Sequence, residues 1–182
     1  MSTFYATKNG SSDYLPISSM FIRPWTTGDF GLYLRQNDDY VLYTRKGKQF
    51  TAEHRERLSE WGIQTLFIPK DQSGEYEQYL CDHLGEILGD EEIPLDDRSQ
   101  AWHQASLSLV KNLFSEKLPR RHLYKRFEQL QRHIKTSMHL FKADGALKPL
   151  FRHLSKGFRE YNHSLGVLVF NYFLLSSYKV DE

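Results

Sequence analysis

The sequence predicts an α+β protein, with a small N-terminal mixed α/β module followed by an all-α bundle. Three observations carry that expectation. Every strand-like run lies before Pro69, and beyond it apolar residues recur only at helical spacing. Charge divides the chain in the same sense: residues 1–100 carry 10 Lys+Arg against 17 Asp+Glu, a net of −7, and residues 101–182 carry 14 against 6, a net of +8. The stretch GDEEIPLDD (89–97) is acidic, holds a proline and has few large apolar residues, as a connection between modules would. The organisation expected is a disordered tail over 1–12, an α+β regulatory module over 13–92, an acidic linker over 93–99 and a helical region over 100–182.

Within the first module the run YLPISSMFI, Tyr14 to Ile22, predicts a strand with Pro16 near its start, where a missing N–H does least harm. FGLYLR (30–35) and YVLYTR (40–45) are β-rich runs separated by Gln36, Asn37, Asp38 and Asp39, the pattern of a hairpin. Thr51 is placed to cap a helix, Glu53 sits near its positive end, and the helix runs to about Trp61, where Gly62 stops it. TLFIP (65–69) predicts a further strand. From Ser73, a capping position, Tyr76, Tyr79, Leu80, His83, Leu84, Ile87 and Leu88 recur at helical spacing and predict one helix. Tyr33, Tyr40 and Tyr43 are expected to pack across strands, with a ligand-facing aromatic surface as the alternative.

The second module reads as helices throughout. Trp102, Ala105, Leu109, Val110, Leu113 and Phe114 mark one, ending before Pro119. Leu123, Phe127, Leu130, Ile134, Met138 and Phe141 mark a second, and Leu147, Leu150, Phe151, Leu154 and Phe158 a third. The last, from Leu165 to Leu175, is apolar on nearly every face, which suits a fully buried helix. Three amphipathic helices can cover only part of it. Its uncovered side, Leu165, Leu168, Phe170, Phe173 and Leu174, is therefore expected to meet a further domain or another copy of the chain, so a homo-oligomer is expected.

Composition and motifs exclude several functions. A 40% hydrophobic, 26% charged chain has a core. One cysteine, Cys81, excludes an internal disulfide framework and Cys-based zinc. No stretch nears the roughly 18 apolar residues of a membrane span, and the N-terminus has no secretory pattern, so a cytoplasmic protein is expected. There is no phosphate loop and no nucleophile elbow. The eight histidines (54, 83, 103, 122, 133, 139, 153, 163) include no pair three or four apart, so no helix presents a two-histidine metal face. The basic run KLPRRHLYKR (117–126) invites a nucleic-acid reading, but Tyr124 and Phe127 fall on the apolar stripe, and an ordinary helix face is the expectation. No catalytic residue is expected in this chain.

Two segments resemble a bacterial signalling architecture. Phe30–Arg35, Tyr40–Tyr43, Gly47, the Glu-rich helix with Arg57 and Leu58, then Gly62, Ile63 and Leu66–Ile68 resemble the small module found ahead of HD-type phosphohydrolase domains. YNHSLGV, Tyr161 to Val167, resembles the Y-x-H-S-x-x-V opening of the HD-GYP domain, and 158–182 would be its start. The resemblance implies hydrolysis of cyclic di-GMP by a divalent metal pair of iron or manganese type. It makes His163 the counterpart of the first histidine ligand. Arg159 stands where three-metal members place a Glu ligand, a departure that argues against that variety. The His-Asp pair, the later histidines and the Gly-Tyr-Pro segment have no counterpart in the chain. The implied role is thus regulatory: this chain holds no cofactor itself and acts in cis on a downstream catalytic domain. The rival expectation is a free-standing interaction protein that docks a partner through its apolar C-terminal helix.

Overall fold

A computed structural model describes residues 6–7, 13–114, 120–155 and 159–177. The fold is α+β, and the chain divides into two compact units, Met1–Leu80 and Cys81–Glu182.

The first unit is built on an antiparallel sheet. Its strands are β1 (Ala6–Thr7), β2 (Tyr14–Ser18), β3 (Thr26–Thr27), β4 (Leu32–Gln36), β5 (Asp39–Thr44), β6 (Gln49–Phe50) and β7 (Thr65–Pro69). Five of them pair in the order β1-β5-β4-β7-β2, and β3 pairs separately with β6. Helix α1 (Ala52–Glu60) lies between β6 and β7, and α2 (Ser73–Asp82) contributes its residues up to Leu80.

Alternation decides the two faces of the sheet. Leu32 and Leu34 of β4, with Leu66 and Ile68 of β7, enter a core with Ile17, Ile22, Phe30, Phe50, Leu58, Tyr76 and Tyr79. The residues between them, Tyr33 and Phe67, take the opposite face. There Tyr14 stacks on Tyr40 at 4.0 Å between ring centres and meets Tyr33 edge-on at 5.0 Å, while Tyr40 meets Phe67 at 5.2 Å. Pro16 faces Phe67 on β2, which pairs with β7 alone, so no second neighbour asks for its missing N–H.

Several local signals act as their chemistry requires. The hairpin narrows to Asn37 and Asp38 between β4 and β5, and Asn37 takes the left-handed region at φ 57°, which asparagine tolerates better than most side chains. Thr51 caps α1 by accepting from the His54 N–H, and His54 Nδ1 accepts in turn from the Thr51 N–H at 2.9 Å. That is a capping box with histidine in the place usually held by Glu or Gln. Gly62 stops the helix at φ 65°.

Up to residue 99 the structure differs from expectation in four places. The run 14–22 is a strand only to Ser18, because Ser18 Oγ then accepts from the Met20 N–H and opens a 3₁₀ turn over Ser19–Phe21. Ala6 and Thr7 pair with Val41 and Tyr40 inside the expected tail, most of which lies outside the described residues. The single helix expected from Ser73 is interrupted at His83, whose φ −100° and ψ 7° leave the helical region. The spacing of apolar residues runs through this break unchanged, so periodicity could not reveal it. Finally, the division falls at Leu80/Cys81, and much of the 93–99 stretch is helical. Asp96 and Asp97 occupy the first turn of the helix Leu95–Phe114, where carboxylates favour the positive helix end.

The second unit holds α3 (Leu84–Gly89), α4 (Leu95–Phe114), α5 (Arg120–Phe141), α6 (Leu147–Leu154) and α7 (Arg159–Ser177). The first two of the helices read from residue 102 onward stand as expected, and the third ends at Leu154, with Phe158 outside the described residues. Trp102 is fully buried and meets Phe141 at 5.3 Å, and Leu84, Ile87, Leu88, Leu140, Leu150 and Val169 of the same unit are buried as well. Most of the basic run 117–126 lies outside the residues whose side chains are described; Tyr124 and Phe127 are exposed, not in the core as their spacing predicted. Among the described residues, no helix is long and apolar enough to cross a membrane.

Candidate functional site

The helix that carries the YNHSLGV segment is seated by a polar contact. Along α7 the buried positions are Asn162, Leu165 and Val169, spaced three and four apart on one face. Asn162 Oδ1 accepts a 2.9 Å hydrogen bond from Nε2 of His103, a buried residue of α4. An amide oxygen can only accept, so the neutral imidazole of His103 carries its proton on Nε2. Burial holds His103 below the usual imidazole range, His153 nearby adds to this, and the bond to Asn162 offsets part of it.

Helix α6 brings the next residues. The ring of His153 lies 6.3 Å from that of His103, and its Nε2 stands 3.4 Å from Asp96 Oδ1, within charge-pair range but without hydrogen-bond geometry. Arg152 Nη1 donates to the same carboxylate oxygen at 2.7 Å. Asp97 beside it is pushed above the usual carboxylate range by burial and then by the Asp96 charge. Asp96, His103, Arg152, His153 and Asn162 therefore join α4, α6 and α7 through one polar cluster. It can hold the start of α7 in place, and a proton arriving at His103 would have to be accommodated away from water.

His163 is not part of this cluster: one residue beyond Asn162, it turns to the exposed side of α7. Among the described residues, no group of three or more His, Cys, Asp or Glu side chains converges as a metal ion would need. His103 and His153 come near one another, but Nε2 of His103 is committed to an amide oxygen. The described side chains thus do not fit the divalent pair that the HD-GYP resemblance implies.

The expected interface residues separate into two groups. Leu165 is buried by its own unit, and Leu168 and Phe173 are half-buried, Phe173 with its ring 6.2 Å from Phe141. Phe170 and Leu174 are exposed, and with Val167 and Leu175 they leave an uncovered apolar strip. The helix expected to be buried all round is buried on one side only, because α4, α5 and α6 reach it from that side.

Sequence reading missed the His103–Asn162 contact. The available signal was a histidine directly beside Trp102, but polar residues are common along this part of α4, its partner lies 59 positions away, and no spacing rule reaches that far.

No protein-family model matches the sequence, and no curated protein is significantly similar to it. Among solved structures, one described as "Bd1817, a HDG"Y"P protein from Bdellovibrio bacteriovorus" is similar at 20% identity and a TM-score of 0.39, over 77% of this chain and 45% of that one. The chain therefore spans less than half the length of that protein, and a similarity of this size defines neither fold nor activity.

Proposed function

We propose that this chain is the regulatory front portion of an HD-type cyclic di-GMP phosphodiesterase, a signalling protein whose metal-dependent chemistry belongs to a catalytic domain in cis. The first unit is the sensory or regulatory module. Helices α4 to α6 relay its state to α7, which opens the catalytic domain. The observation that carries this reading is the position of YNHSLGV at the head of a helix that buries one side and exposes Val167, Phe170, Leu174 and Leu175 on the other. A domain continuing from α7 would cover that strip, and His163 would join its metal ligands there, with the iron- or manganese-type pair completed by residues this chain does not supply. The chain alone is then without activity.

The test is to read the gene past the codon for Glu182 and assay the product for cyclic di-GMP hydrolysis with added manganese or iron(II). The expected result is an HD-type domain in frame and hydrolysis that His163→Ala abolishes together with bound metal. A reading frame without a His-Asp pair, or a full-length protein that binds metal equally well without His163, overturns it.

The same exposed strip favours a second reading, an interaction protein that pairs with a further copy through Phe170 and Leu174. Light scattering decides: a dimer that Phe170→Glu dissociates supports it, and a monomer at tens of micromolar removes it.

A further inference from the structure

The second unit carries a cavity of about 500 Å³ where the end of α3, the start of α4 and the end of α5 meet. Backbone geometry builds it. Asp90 is extended, at φ −87° and ψ 106°, and ends α3. The Ile93 N–H then donates to the Asp90 carbonyl at 3.2 Å, and the fully buried Ile93 anchors the connection to α4. On the opposite side the chain leaves α5 through Lys142 and Ala143, whose N–H groups donate to the Met138 and Leu140 carbonyls, each at 3.1 Å. The apolar part of the lining is the buried Leu88 with the half-buried Leu95 and Ala143.

Charge then selects the ligand. Arg98, half-buried in the cavity wall, donates from Nη1 to the Leu88 carbonyl at 3.3 Å, and its Nε is shut from solvent without an acceptor. A guanidinium so incompletely satisfied is a seat for a carboxylate. Lys142 adds a second cation and His139 a titratable ring, while Glu91 and Asp144 supply two carboxylates. Among the described residues none of these five groups is in an ion pair, although both signs line one cavity. The neighbouring Asp96 is taken up by Arg152. A simple anion would gain from Arg98 and Lys142 but be opposed by Glu91 and Asp144, and a simple cation would meet the reverse conflict. A molecule with both charges satisfies both sets. We propose that this cavity binds a small aliphatic amino acid as its zwitterion, with the carboxylate on Arg98 and Lys142, the ammonium toward Glu91 and Asp144, and the alkyl group against Leu88, Leu95 and Ala143. The inference stands on the second unit alone and does not depend on the phosphodiesterase reading.

The experiment is a titration of the full chain with L-leucine, followed by the Ala143 methyl and His139 ring signals in NMR. Isocaproate serves as leucine without its ammonium, and isoamylammonium as leucine without its carboxylate. Saturable millimolar binding of leucine is expected, moving Ala143 and His139 while leaving the buried Ala105 in place. Leucine should bind about tenfold tighter than either analogue, the gain from one partly screened charge contact. Arg98→Gln should remove binding. Glu91→Gln combined with Asp144→Asn, both at exposed positions that do not threaten folding, should weaken leucine about tenfold and isocaproate not at all. Absence of saturable leucine binding overturns the proposal. So does an analogue that binds as tightly as leucine, a leucine affinity unchanged in Arg98→Gln or in the double variant, or a double variant that weakens isocaproate as much as leucine.

Discussion

The two units bury their polar groups by different means. In the first, buried hydroxyls and guanidinium groups mostly reach backbone: Tyr79 Oη accepts from the Arg23 N–H, Tyr43 Oη donates to the His54 carbonyl, and an Arg55 Nη2 donates to the carbonyls of Met20 and Ile22. In the second, side chain meets side chain across helices. Trp102 Nε1 donates to Ser137 Oγ, Ser106 Oγ pairs with His133 Nε2, and His103 donates to Asn162. The reason is geometric: helices satisfy their own backbones, so contact between them must be specified by side chains, whereas a sheet with short loops leaves backbone groups open at its turns. The helical unit consequently concentrates its specificity in a few buried polar contacts, two of them made by histidine.

The sharpest way to break this contrast is pH. Burial holds His133 down to about 4, against an ordinary 6.5, and His103 is lowered in the same direction. Above pH about 6.5 both states are neutral and the stability is fully present. As pH falls, the unfolded chain takes up protons first, so stability drains away until the folded His133 titrates. The expected loss from His133 alone is on the order of 3 kcal/mol by pH about 4. Urea unfolding at several pH values, with amide NMR signals read separately for each unit, should show the second unit losing more. Equal loss in both would remove the contrast.

A smaller effect is expected from Ser137→Ala, which leaves the buried Trp102 N–H without its acceptor. The second unit should lose about 2 kcal/mol, the cost of an unpaired buried donor. An unchanged urea midpoint would mean that the indole has found another partner. Smallest is the capping box of the first unit: Thr51→Ala should cost about 1 kcal/mol and increase exchange of the first amides of α1. A comparable loss in the second unit would show that the two are coupled more tightly than their separate cores suggest.

What could be read in advance follows from the range of each signal. TLFIP, the Thr51 cap and the Gly62 stop act over a few residues, and all appear where the sequence puts them. The acidic stretch was misplaced because carboxylates favour both solvated linkers and helix N-termini, and Asp96 and Asp97 serve the second purpose. The small β3–β6 ladder, two residues long on each side, is too short for any alternation to register. The polar cluster was illegible for another reason: His103, His153 and Asn162 come from three helices, and only packing of α4, α6 and α7 brings them together. His163, the residue that a local motif singled out, stands one position from Asn162, on the other side of the helix.

The tryptophans divide along the same line. Trp25 and Trp61 belong to the first unit and are 65% and 56% exposed, while Trp102 in the second is wholly shielded. Intrinsic fluorescence therefore carries two populations without any label: a red-shifted one open to collisional quenchers such as iodide, and a blue-shifted one closed to them. Quenching the first leaves an optical channel that watches only the helical unit, so its unfolding can be timed by stopped flow in the unmodified protein.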